Sequence, residues 1–476
     1  MSLTKFRPTL LVLPPRNLIP TKIPLCHLQA AASVTGFTNL RNPVFYEIKR
    51  HISYQSHRDR FWRVESASSK HLTKSHPSRS LEQTRRLHPN SKYTRTEVSD
   101  ISRILQRHRL RYQNKVSPTS TSGHASTMEK NMSYLDVMRL ADTFPYEDKE
   151  PEAYHELSMT LYKLVWKDNN GPVLGYMLAS TVNRLLAVPE SLRGPVVVDE
   201  SAQTVRAFEQ ATEPERSAAV AAVMQYWREN ETFDTLRGWR DELWPVYGTD
   251  TEVLYSAERS GVGLLGAMRY GVHMMGYVRD ETAPYGMRFW VPRRAHDKPT
   301  YPGMLDNTVA GGLMTGEDPF ECMVREADEE ASLSEKLMRE RAKFTGMVTY
   351  IYITDERAGG EAGQIYPETQ WVYDIELPKD ERPTPKDGEV AEFYLWTVDE
   401  VREGLAKDQF KPNCALVIIN FFIRHGIITA ANEPDYAEIL QRMHRKLPFP
   451  GPHQAYAASL EAPAAALADA AATLAS

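Results

Sequence analysis

Cysteine is scarce in this sequence and long apolar runs are missing, and both shortages limit what the protein can be. The 476 residues include three cysteines, Cys26, Cys322 and Cys414, which lie too far apart to form a paired metal-ligand motif or a disulfide framework. Such sparse cysteine fits a reducing compartment. No stretch reaches the roughly 18 apolar residues of a membrane-spanning helix, so we expect no membrane partner. No phosphate loop of the form GxxxxGK followed by Ser or Thr is present, which argues against a P-loop kinase.

Acidic residues are rare at the start of the chain and abundant in the rest. Residues 1–127 carry 22 Lys and Arg against 6 Asp and Glu, a balance of +16, whereas the remainder carries 35 against 56, a balance of −21. The overall net charge of −5 hides this division. Because the body of the chain is acidic, we expect no nucleic-acid partner.

Residues 1–131 form a basic leader that we expect to be disordered, because Ser, Thr, His and Arg dominate it and its hydrophobic period is weak. No acid occurs over residues 1–46, and this composition resembles a mitochondrial transit peptide. A gene-model extension, with Met128 or Met132 as the working start, is the alternative explanation. The expected location is accordingly cytoplasmic or mitochondrial.

The body of the chain is predicted to contain two folded modules and a tail. Residues 132–250 mix short helices and strands and predict a small α+β domain. In residues 251–448, strands rich in Val, Tyr, Met and Trp are interrupted by helices at 318–331, 399–407 and 413–424, which predicts an α/β fold with a mixed sheet. The predicted strands are Ala267–Val278, Met287–Pro292, Gly346–Thr354, Gln370–Leu377 and Glu389–Val398. The Ala-rich residues 449–476 are expected to form a flexible tail.

The segment Gly311–Leu333, GGLMTGEDPFECMVREADEEASL, combines a glycine loop with an acidic helix. Asp318 is a good N-cap residue and Pro319 suits the first helical position. Glu321 then falls at the third helical position, so a capping box with Asp318 is predicted. The helix therefore has a defined start.

Three acids follow on one face of this predicted helix. Glu326, Glu329 and Glu330 stand at i, i+3 and i+4, where like charges repel by about 0.2–0.5 kcal/mol per pair. Converging carboxylates suit a hard divalent cation, which takes carboxylate, water and phosphate oxygens as ligands. A solvated acidic helix face is the alternative, but the close spacing favours a metal site.

The same segment resembles the Nudix box in both spacing and residue identity. The matching residues are Gly311, Glu317, Arg325, Glu326, Glu329, Glu330 and Leu333. Ala327 replaces a larger aliphatic residue, and Ser332 replaces the glycine of the motif. If position 332 requires a left-handed backbone, serine costs about 1–2 kcal/mol there. The resemblance implies a Nudix α/β/α sandwich and a metal-dependent pyrophosphohydrolase acting on a small-molecule diphosphate.

Segments on both sides of the box resemble one Nudix subfamily of fungi and plants. This subfamily carries its own N-terminal domain and is often labelled thiamin pyrophosphokinase-related. The matching segments include Trp239–Leu243, Gly271–His273, Tyr301–Asp306 and Phe410–Asn413. The resemblance covers about residues 132–450 and implies hydrolysis of oxidised or damaged thiamin diphosphates to monophosphates. Asn420 stands where this subfamily is expected to have Asp.

The resemblance also implies roles for the acids of the box. Mg²⁺ or Mn²⁺ would be held by Glu326, Glu329 and Glu330, with Glu317 as an outer or additional ligand. Catalytic roles fall to Glu329, Arg325 and Glu389. Arg325 is expected to orient the acids, and Glu389 to act as a metal ligand or general base, although a structural salt bridge is an equal alternative for Glu389.

Basic and aromatic residues upstream of the box are candidates for binding the substrate. Arg293, Arg294 and Lys298 follow or end a predicted strand and could clamp phosphate oxygens, while a surface basic turn is the alternative. Trp290, Tyr301 and His273 could stack on a thiazole or pyrimidine ring, while core positions are the alternative.

Other functions of the same fold also fit this sequence. A hydrolase of nucleotide-type diphosphates such as ADP-ribose or NADH is one alternative. An isopentenyl-diphosphate isomerase-like enzyme and a catalytically silent binding fold are two others. The intact acidic cluster argues against the silent fold, and the sequence leaves the oligomeric state undetermined.

Overall fold

The computed structural model describes residues 131–458. The leader predicted over 1–131 lies outside the described residues except for its last residue, and so does the part of the predicted tail after 458. Within the described part, no helix is long and apolar enough to span a membrane.

The first half of the described chain forms a small module of mixed structure. Its helices are α1 (Tyr134–Ala141), α2 (Pro151–Ser158), α3 (Ala179–Leu186), α4 (Glu190–Arg193) and α5 (Glu213–Glu229). Its strands are β1 (Leu161–Val165), β2 (Val173–Leu178), β3 (Val197–Asp199), β4 (Thr204–Arg206), β5 (Leu243–Tyr247) and β6 (Val253–Glu258). Strands β1 to β4 form one sheet in the order β2-β1-β4-β3, and β5 pairs with β6 as an antiparallel hairpin.

The second half is built on a larger sheet. Its strands are β7 (Arg269–Arg279), β8 (Met287–Arg294), β9 (Val309–Gly312), β10 (Lys343–Ile353), β11 (Ile365–Glu376) and β12 (Val390–Thr397). Its helices are α6 (Pro319–Ala331), α7 (Glu335–Arg341), α8 (Val398–Ala406), α9 (Pro412–Arg424) and α10 (Tyr436–Met443). The strand order is β10-β11-β7-β8-β12, with β9 paired to β7. Strands β7 and β11 are parallel and the other pairs are antiparallel, so the sheet is mixed.

Helices cover both faces of this sheet, which follows from the alternation of side chains along β7. Val272 and Met274 pack in one core cluster with the apolar face of α6. Tyr277, on the opposite face, packs edge-on against Phe421 of α9. The predicted α/β/α arrangement with a mixed sheet and a preceding small α+β module is confirmed.

The two halves share buried surface. The core cluster of the larger sheet also contains Phe144, Leu157 and Leu178 from the first half. A second cluster fills the first module and includes Trp227 and Val246. Helix α1 packs against α9, α10 and β10. The N-terminal elements therefore belong to the same packed body as the sheet.

Helix α6 begins where the sequence predicts. The Asp318 side chain accepts hydrogen bonds from the N–H groups of Phe320 at 2.8 Å and Glu321 at 3.3 Å. The reciprocal half of the predicted capping box is replaced, because the Glu321 carboxylate pairs with Arg339 of α7 at 2.6 Å. At the other end, Ser332 adopts a left-handed backbone with φ of 55°, the strained geometry that glycine usually occupies.

The ends of the predicted second module differ from what the pattern suggested. The boundary predicted between residues 250 and 251 falls in the turn of the β5–β6 hairpin. At the other end, Phe449 is fully buried in the core cluster, and residues 452–458 are helical. The Ala-rich composition of the tail hid this ordered start, because one large apolar side chain is enough to anchor a short segment.

Candidate functional site

The loop and the helix of the acidic segment meet at Gly311. This residue lies on β9, which pairs with the central strand β7. A Cβ atom on Gly311 would stand 2.1 Å from Cδ of Glu326. The missing side chain therefore lets the Glu326 carboxylate on α6 approach the strand backbone closely.

Arg325 connects three of the predicted metal-site carboxylates. Its guanidinium contacts Glu317 at 2.9 and 3.2 Å, Glu326 at 2.9 Å and Glu329 at 3.0 Å. Burial disfavours the charged guanidinium, but hydrogen bonds to Glu317 and the charge of Glu326 outweigh it and raise the pKa of Arg325. Because this cation stands among the acids, they do not form a compact group of three ligand atoms within residues 131–458.

Glu330 is buried, and Glu326 is partly buried on the same helix. Glu330 accepts a hydrogen bond from the Ala310 N–H at 3.0 Å. Burial raises the pKa of Glu330 well above its ordinary value, and the charge of Glu326 adds to the effect. Burial likewise raises the pKa of Glu326 to about 7, against the opposing charge of Arg325. Two neighbouring carboxylates whose pKa values are raised despite the nearby Arg325 are a donor set that fits a hard divalent cation.

A cavity of about 500 Å³ lies beside Glu330. Its wall includes Glu330 and Glu389 together with Gly311 and His273. The basic side chains that line it include Arg240, Arg259, Arg269, Arg294, Lys298 and Lys411. The aromatic side chains that line it include Trp244, Tyr270, Tyr301, Tyr350, Tyr352 and Tyr366. A cavity with carboxylates, cations and rings in its wall can hold an anionic ligand that carries a ring.

Glu389 lies just before β12 and is held by two cations. It forms ion pairs with Lys298 and, at 3.5 Å, with Arg240. Burial opposes its ionisation, but the hydrogen bond from Lys298 and the neighbouring charges outweigh burial and lower the pKa of Glu389. The salt bridge considered as an alternative is therefore present. Glu389 is also close enough to Glu330 for its charge to raise the pKa of Glu330.

Three of the five residues predicted to bind the substrate line the cavity: Arg294, Lys298 and Tyr301. Arg294 is already engaged, because it donates to Asp306 at 2.7 Å and to the Thr300 carbonyl at 3.0 Å. The Tyr301 hydroxyl donates to the Tyr352 hydroxyl at 2.7 Å. These contacts give Arg294 and Tyr301 structural partners within the wall.

The other two predicted substrate-binding residues, Arg293 and Trp290, are placed elsewhere. Adjacent residues of a strand point to opposite faces, so Arg293 and Arg294 cannot both reach the cavity. Arg293 instead donates to the Tyr394 hydroxyl at 2.9 Å and to the Gly303 carbonyl at 2.8 Å. Trp290 is buried in the core cluster of the sheet. Arg293 thus braces a turn and Trp290 is a core aromatic, the placements considered as alternatives, and their roles in substrate binding stay predictions.

His273 belongs to a second buried group of potential metal ligands. The side chains of His273, Asp306 and Cys414 come within 4.8 Å of one another. Asp306, however, pairs with Arg294 at 2.7 Å and accepts a hydrogen bond from the Cys414 thiol at 2.6 Å. Burial raises the pKa of Cys414 well above its usual value, which fits a protonated thiol that donates to Asp306. We assign this group as a hydrogen-bonded network in and behind the cavity wall.

Sequence reasoning gave no role to the cavity wall that the first module contributes. The residues concerned are Arg240, Trp244 and Arg259. Trp244 packs on the box loop so closely that its Cζ2 would stand 2.5 Å from a Cβ atom on Gly312. The N–H of Thr315 donates to the Leu243 carbonyl at 2.8 Å, which ties the loop to β5. The available signal was the segment Trp239–Leu243, which belongs to the subfamily resemblance.

Two families match adjacent parts of the chain. The family described as "NUDIX domain" matches residues 270–415. The family described as "Domain of unknown function (DUF4743)" matches residues 171–269. The second match ends where β7 begins, so the β5–β6 hairpin falls in the region of unknown function.

Individual relatives include one fungal and one plant protein. An uncharacterized protein of Saccharomyces cerevisiae is 36% identical over 326 residues, which cover 67% of this chain and 93% of that protein. Nudix hydrolase 24, chloroplastic, of Arabidopsis thaliana is 36% identical over 232 residues, which cover 48% of this chain and 59% of the plant protein. Among solved structures, a Nudix hydrolase from M. smegmatis is 18% identical and covers 34% of this chain and 89% of that chain, with a TM-score of 0.24.

The mixed sheet, the box helix and these matches define an enzyme class, the pyrophosphohydrolases that act on small-molecule diphosphates. The chain belongs to the Nudix hydrolase family. Enzymes of this family generally use divalent metal ions such as Mg²⁺ or Mn²⁺.

Proposed function

We propose that the protein hydrolyses thiamin diphosphate derivatives, in particular oxidised or damaged ones, to the monophosphate and phosphate. The observation that carries the proposal is the position of Glu330 and Glu389 in the wall of a cavity lined with cations and rings. The carboxylates and cations support diphosphate chemistry, and the rings support a substrate with an aromatic group. The subfamily resemblance over residues 132–450 favours the thiamin class, and we propose a cytoplasmic or mitochondrial location.

One buried amide supports a heterocyclic substrate. Gln370 lines the cavity, and its Nε2 donates to the Tyr350 hydroxyl and to Glu368, each at 3.1 Å. Its Oε1 is buried and has no hydrogen-bond partner among residues 131–458. A buried acceptor left unpaired costs about 1–3 kcal/mol. An N–H group on the ring of the substrate would satisfy it.

In the proposed mechanism, the carboxylates of α6 hold the metal ion and position the diphosphate. Glu326 and Glu330 are the proposed ligands. Glu329 and Glu317 are proposed as further ligands, which requires the Arg325 guanidinium to move away from them. Bound Mg²⁺ or Mn²⁺ would act as a Lewis acid that neutralises phosphate oxygens and lowers the pKa of water.

The hydrolytic step needs a base and a route for one proton. The oxygen of water attacks one phosphorus atom, and the bond from that phosphorus to the bridging oxygen breaks. Glu389, which is ionised at neutral pH, is the proposed acceptor of the proton from water. Arg325 holds Glu317, Glu326 and Glu329 together in the structure and is proposed to release Glu317 and Glu329 when they bind the metal ion. It does not itself touch the reacting atoms.

We expect the purified protein with Mg²⁺ to cut oxo- and oxy-thiamin diphosphate faster than unmodified thiamin diphosphate. The measurement is phosphate and monophosphate product analysis over a panel that also contains ADP-ribose, NADH and isopentenyl diphosphate. A Glu329→Gln, Glu330→Gln double variant is the control for metal-dependent turnover. Preference for ADP-ribose or NADH would overturn the thiamin assignment. Metal binding without cleavage of any compound would replace the hydrolase with a binding fold.

Replacing Gly311 by alanine is expected to lower kcat about 100-fold. The added Cβ would overlap the Glu326 side chain and shift its carboxylate, and a misplacement of about 1 Å can cost that much. The measurement is steady-state phosphate release at saturating Mg²⁺. Gly238→Ala is the matched control, because Gly238 also lines the cavity but a Cβ atom there meets nothing within 4 Å. Equal activity of the two variants would contradict a role for Glu326 in the site.

A further inference from the structure

The segment before the Nudix module forms one wall of the cavity. The 3₁₀ turn Asp234–Gly238 and the β5–β6 hairpin bring Arg240 and Arg259 next to the wall that contains Glu330 and Glu389. All of this segment lies in the region whose family has no known function. Nothing in the Nudix box therefore accounts for these two arginines.

Arg240 makes only long contacts with carboxylates. Its guanidinium lies 3.5 Å from Glu389 and 3.9 Å from Glu242. Charge-assisted hydrogen bonds are usually about 2.7–2.9 Å long, so neither contact saturates the donors of Arg240. About a third of its side chain is exposed, which leaves the guanidinium able to meet a ligand in the cavity.

Arg259 directly follows β6, the other strand of the hairpin, and among residues 131–458 a carboxylate engages one of its side-chain nitrogens. One of its nitrogens pairs with Glu242 at 2.6 Å, and its guanidinium lies 5.3 Å from the centre of the Trp244 ring. The positive charge of Arg259 lowers the pKa of both Glu326 and Glu389, against the effect of burial. Arg259 is therefore close enough to both carboxylates to interact with their charges. Arg259 therefore faces the same space as the carboxylates of the site.

A buried carboxylate fixes the backbone that carries both arginines. Glu258 is almost fully buried, and its Oε1 accepts hydrogen bonds from the N–H of Arg240 at 3.0 Å and of Ser260 at 3.2 Å. The Ser260 hydroxyl donates to the same oxygen at 3.1 Å. The two arginines are thus anchored at their backbones while their guanidinium groups remain available.

The basic residues nominated from the sequence are already engaged. Arg294 is bound to Asp306, and Lys298 is bound to Glu389. A diphosphate beside Glu330 and Glu389 would meet two carboxylates and would need cations with free donors. Arginine suits this task, because its planar group can bind two phosphate oxygens at once.

We propose that Arg240 and Arg259 form an anion subsite that binds the phosphate oxygens of the diphosphate, so that the N-terminal module completes the active site. This inference rests on the proposed function, which places the diphosphate beside Glu330 and Glu389. The residues act as substrate ligands, and Glu258 acts as a positioning residue that holds them.

The test is the binding of methylenediphosphonate, a diphosphate analogue that cannot be hydrolysed at its bridge, to the full chain with Mg²⁺ by isothermal titration calorimetry. We expect Arg240→Gln and Arg259→Gln each to weaken binding about 10- to 100-fold, the range for hydrogen bonds to charged groups. Arg240→Lys should fall between the wild type and Arg240→Gln. Arg279→Gln is the control, because Arg279 pairs with Glu376 outside the cavity wall.

Melting temperatures distinguish a variant that has lost binding from one that has lost its fold. Variants that melt with the wild type and bind weakly support the subsite. A double variant that melts with the wild type and binds the analogue within twofold of it would overturn the subsite. Because binding needs no turnover, this result is independent of the proposed reaction. Full activity in a folded Glu326→Gln, Glu330→Gln protein would instead overturn the proposed metal ligands. Failure of the folded wild type to cleave any diphosphate of the panel would overturn the proposed function. Either result would leave the arginine result standing.

Discussion

Glu326→Gln and Glu330→Gln are each expected to lower kcat for diphosphate hydrolysis by about 10³-fold or more. Each substitution removes one charged oxygen from the proposed metal ligands on α6, and a bound metal ion would supply several kcal/mol of charge stabilisation to such a reaction. Glutamine keeps the size of the side chain. At position 330 its amide oxygen can still accept the hydrogen bond from Ala310. The measurement is phosphate release at saturating substrate across a range of Mg²⁺ concentrations.

Glu321→Gln is the matched control for these variants. Glu321 lies on the same helix, but it is half exposed and pairs with Arg339 away from the cavity. We expect Glu321→Gln to keep activity within about twofold of the wild type. If Glu326→Gln or Glu330→Gln behaved like this control, the proposed metal ligands would be wrong.

The metal-free protein offers a second readout of Glu330. Because burial raises its pKa, the folded protein keeps a proton that the unfolded chain releases above its ordinary value near 4.5. This contribution to stability is present at low pH and is lost as pH rises through the raised pKa of the folded state. With EDTA present, the melting temperature of Glu330→Gln should therefore fall less between pH 5 and pH 8 than that of the wild type. If the melting temperatures of Glu330→Gln and the wild type changed equally with pH, Glu330 would not be held with a raised pKa.

The box helix could be predicted from the sequence because its signals are local. The N-cap Asp318, the proline after it and the spacing of the acids are all properties of one short segment. The sequence left the backbone geometry at Ser332 open, and the structure shows it to be left-handed. The reciprocal half of the capping box failed because Arg339, on the next helix, competes for Glu321. Local sequence signals therefore predicted where α6 begins, whereas a tertiary contact with Arg339 determined the partner of the Glu321 side chain.

The cavity wall could not be predicted because it depends on contacts distant in sequence. Strand β9 has four residues, two of them glycine, and shows no pattern that distinguishes it from a loop. The closeness of Trp244 to Gly312 arises only when the hairpin packs on the box loop. The different directions of Arg293 and Arg294 could have been expected, because they are adjacent where the predicted strand Met287–Pro292 ends, and adjacent strand residues point to opposite faces. Their separate contacts show that the alternation applies here.

Asp142→Asn is expected to destabilise the protein by about 3–5 kcal/mol, the usual cost of removing one partner from a buried ion pair. Asp142 follows α1 and is almost fully buried. Its Oδ1 accepts hydrogen bonds from Arg445 at 2.8 Å and from the Ile351 N–H on β10 at 3.1 Å. Arg442 lies 3.6 Å from Oδ2. Without the negative charge, Arg445 would remain buried without its carboxylate partner, whereas Arg442 would keep Glu438 at 2.9 Å. The measurement is urea unfolding at constant pH, read by tryptophan fluorescence.

Two further variants distinguish this ion-pair effect from a general sensitivity of the region. Asp148→Asn, at an exposed position a few residues later, should change the free energy of unfolding by less than about 0.5 kcal/mol. Replacing both partners, as Asp142→Asn with Arg445→Met, should cost less than the sum of the two single changes, because no unpaired charge is left at either position. Strict additivity would contradict a direct interaction. A working start at Met128 or Met132 keeps Asp142, whereas a chain cut at the predicted boundary of residue 251 loses it. The Nudix module is therefore expected to fold stably only together with the N-terminal segment that packs on β10.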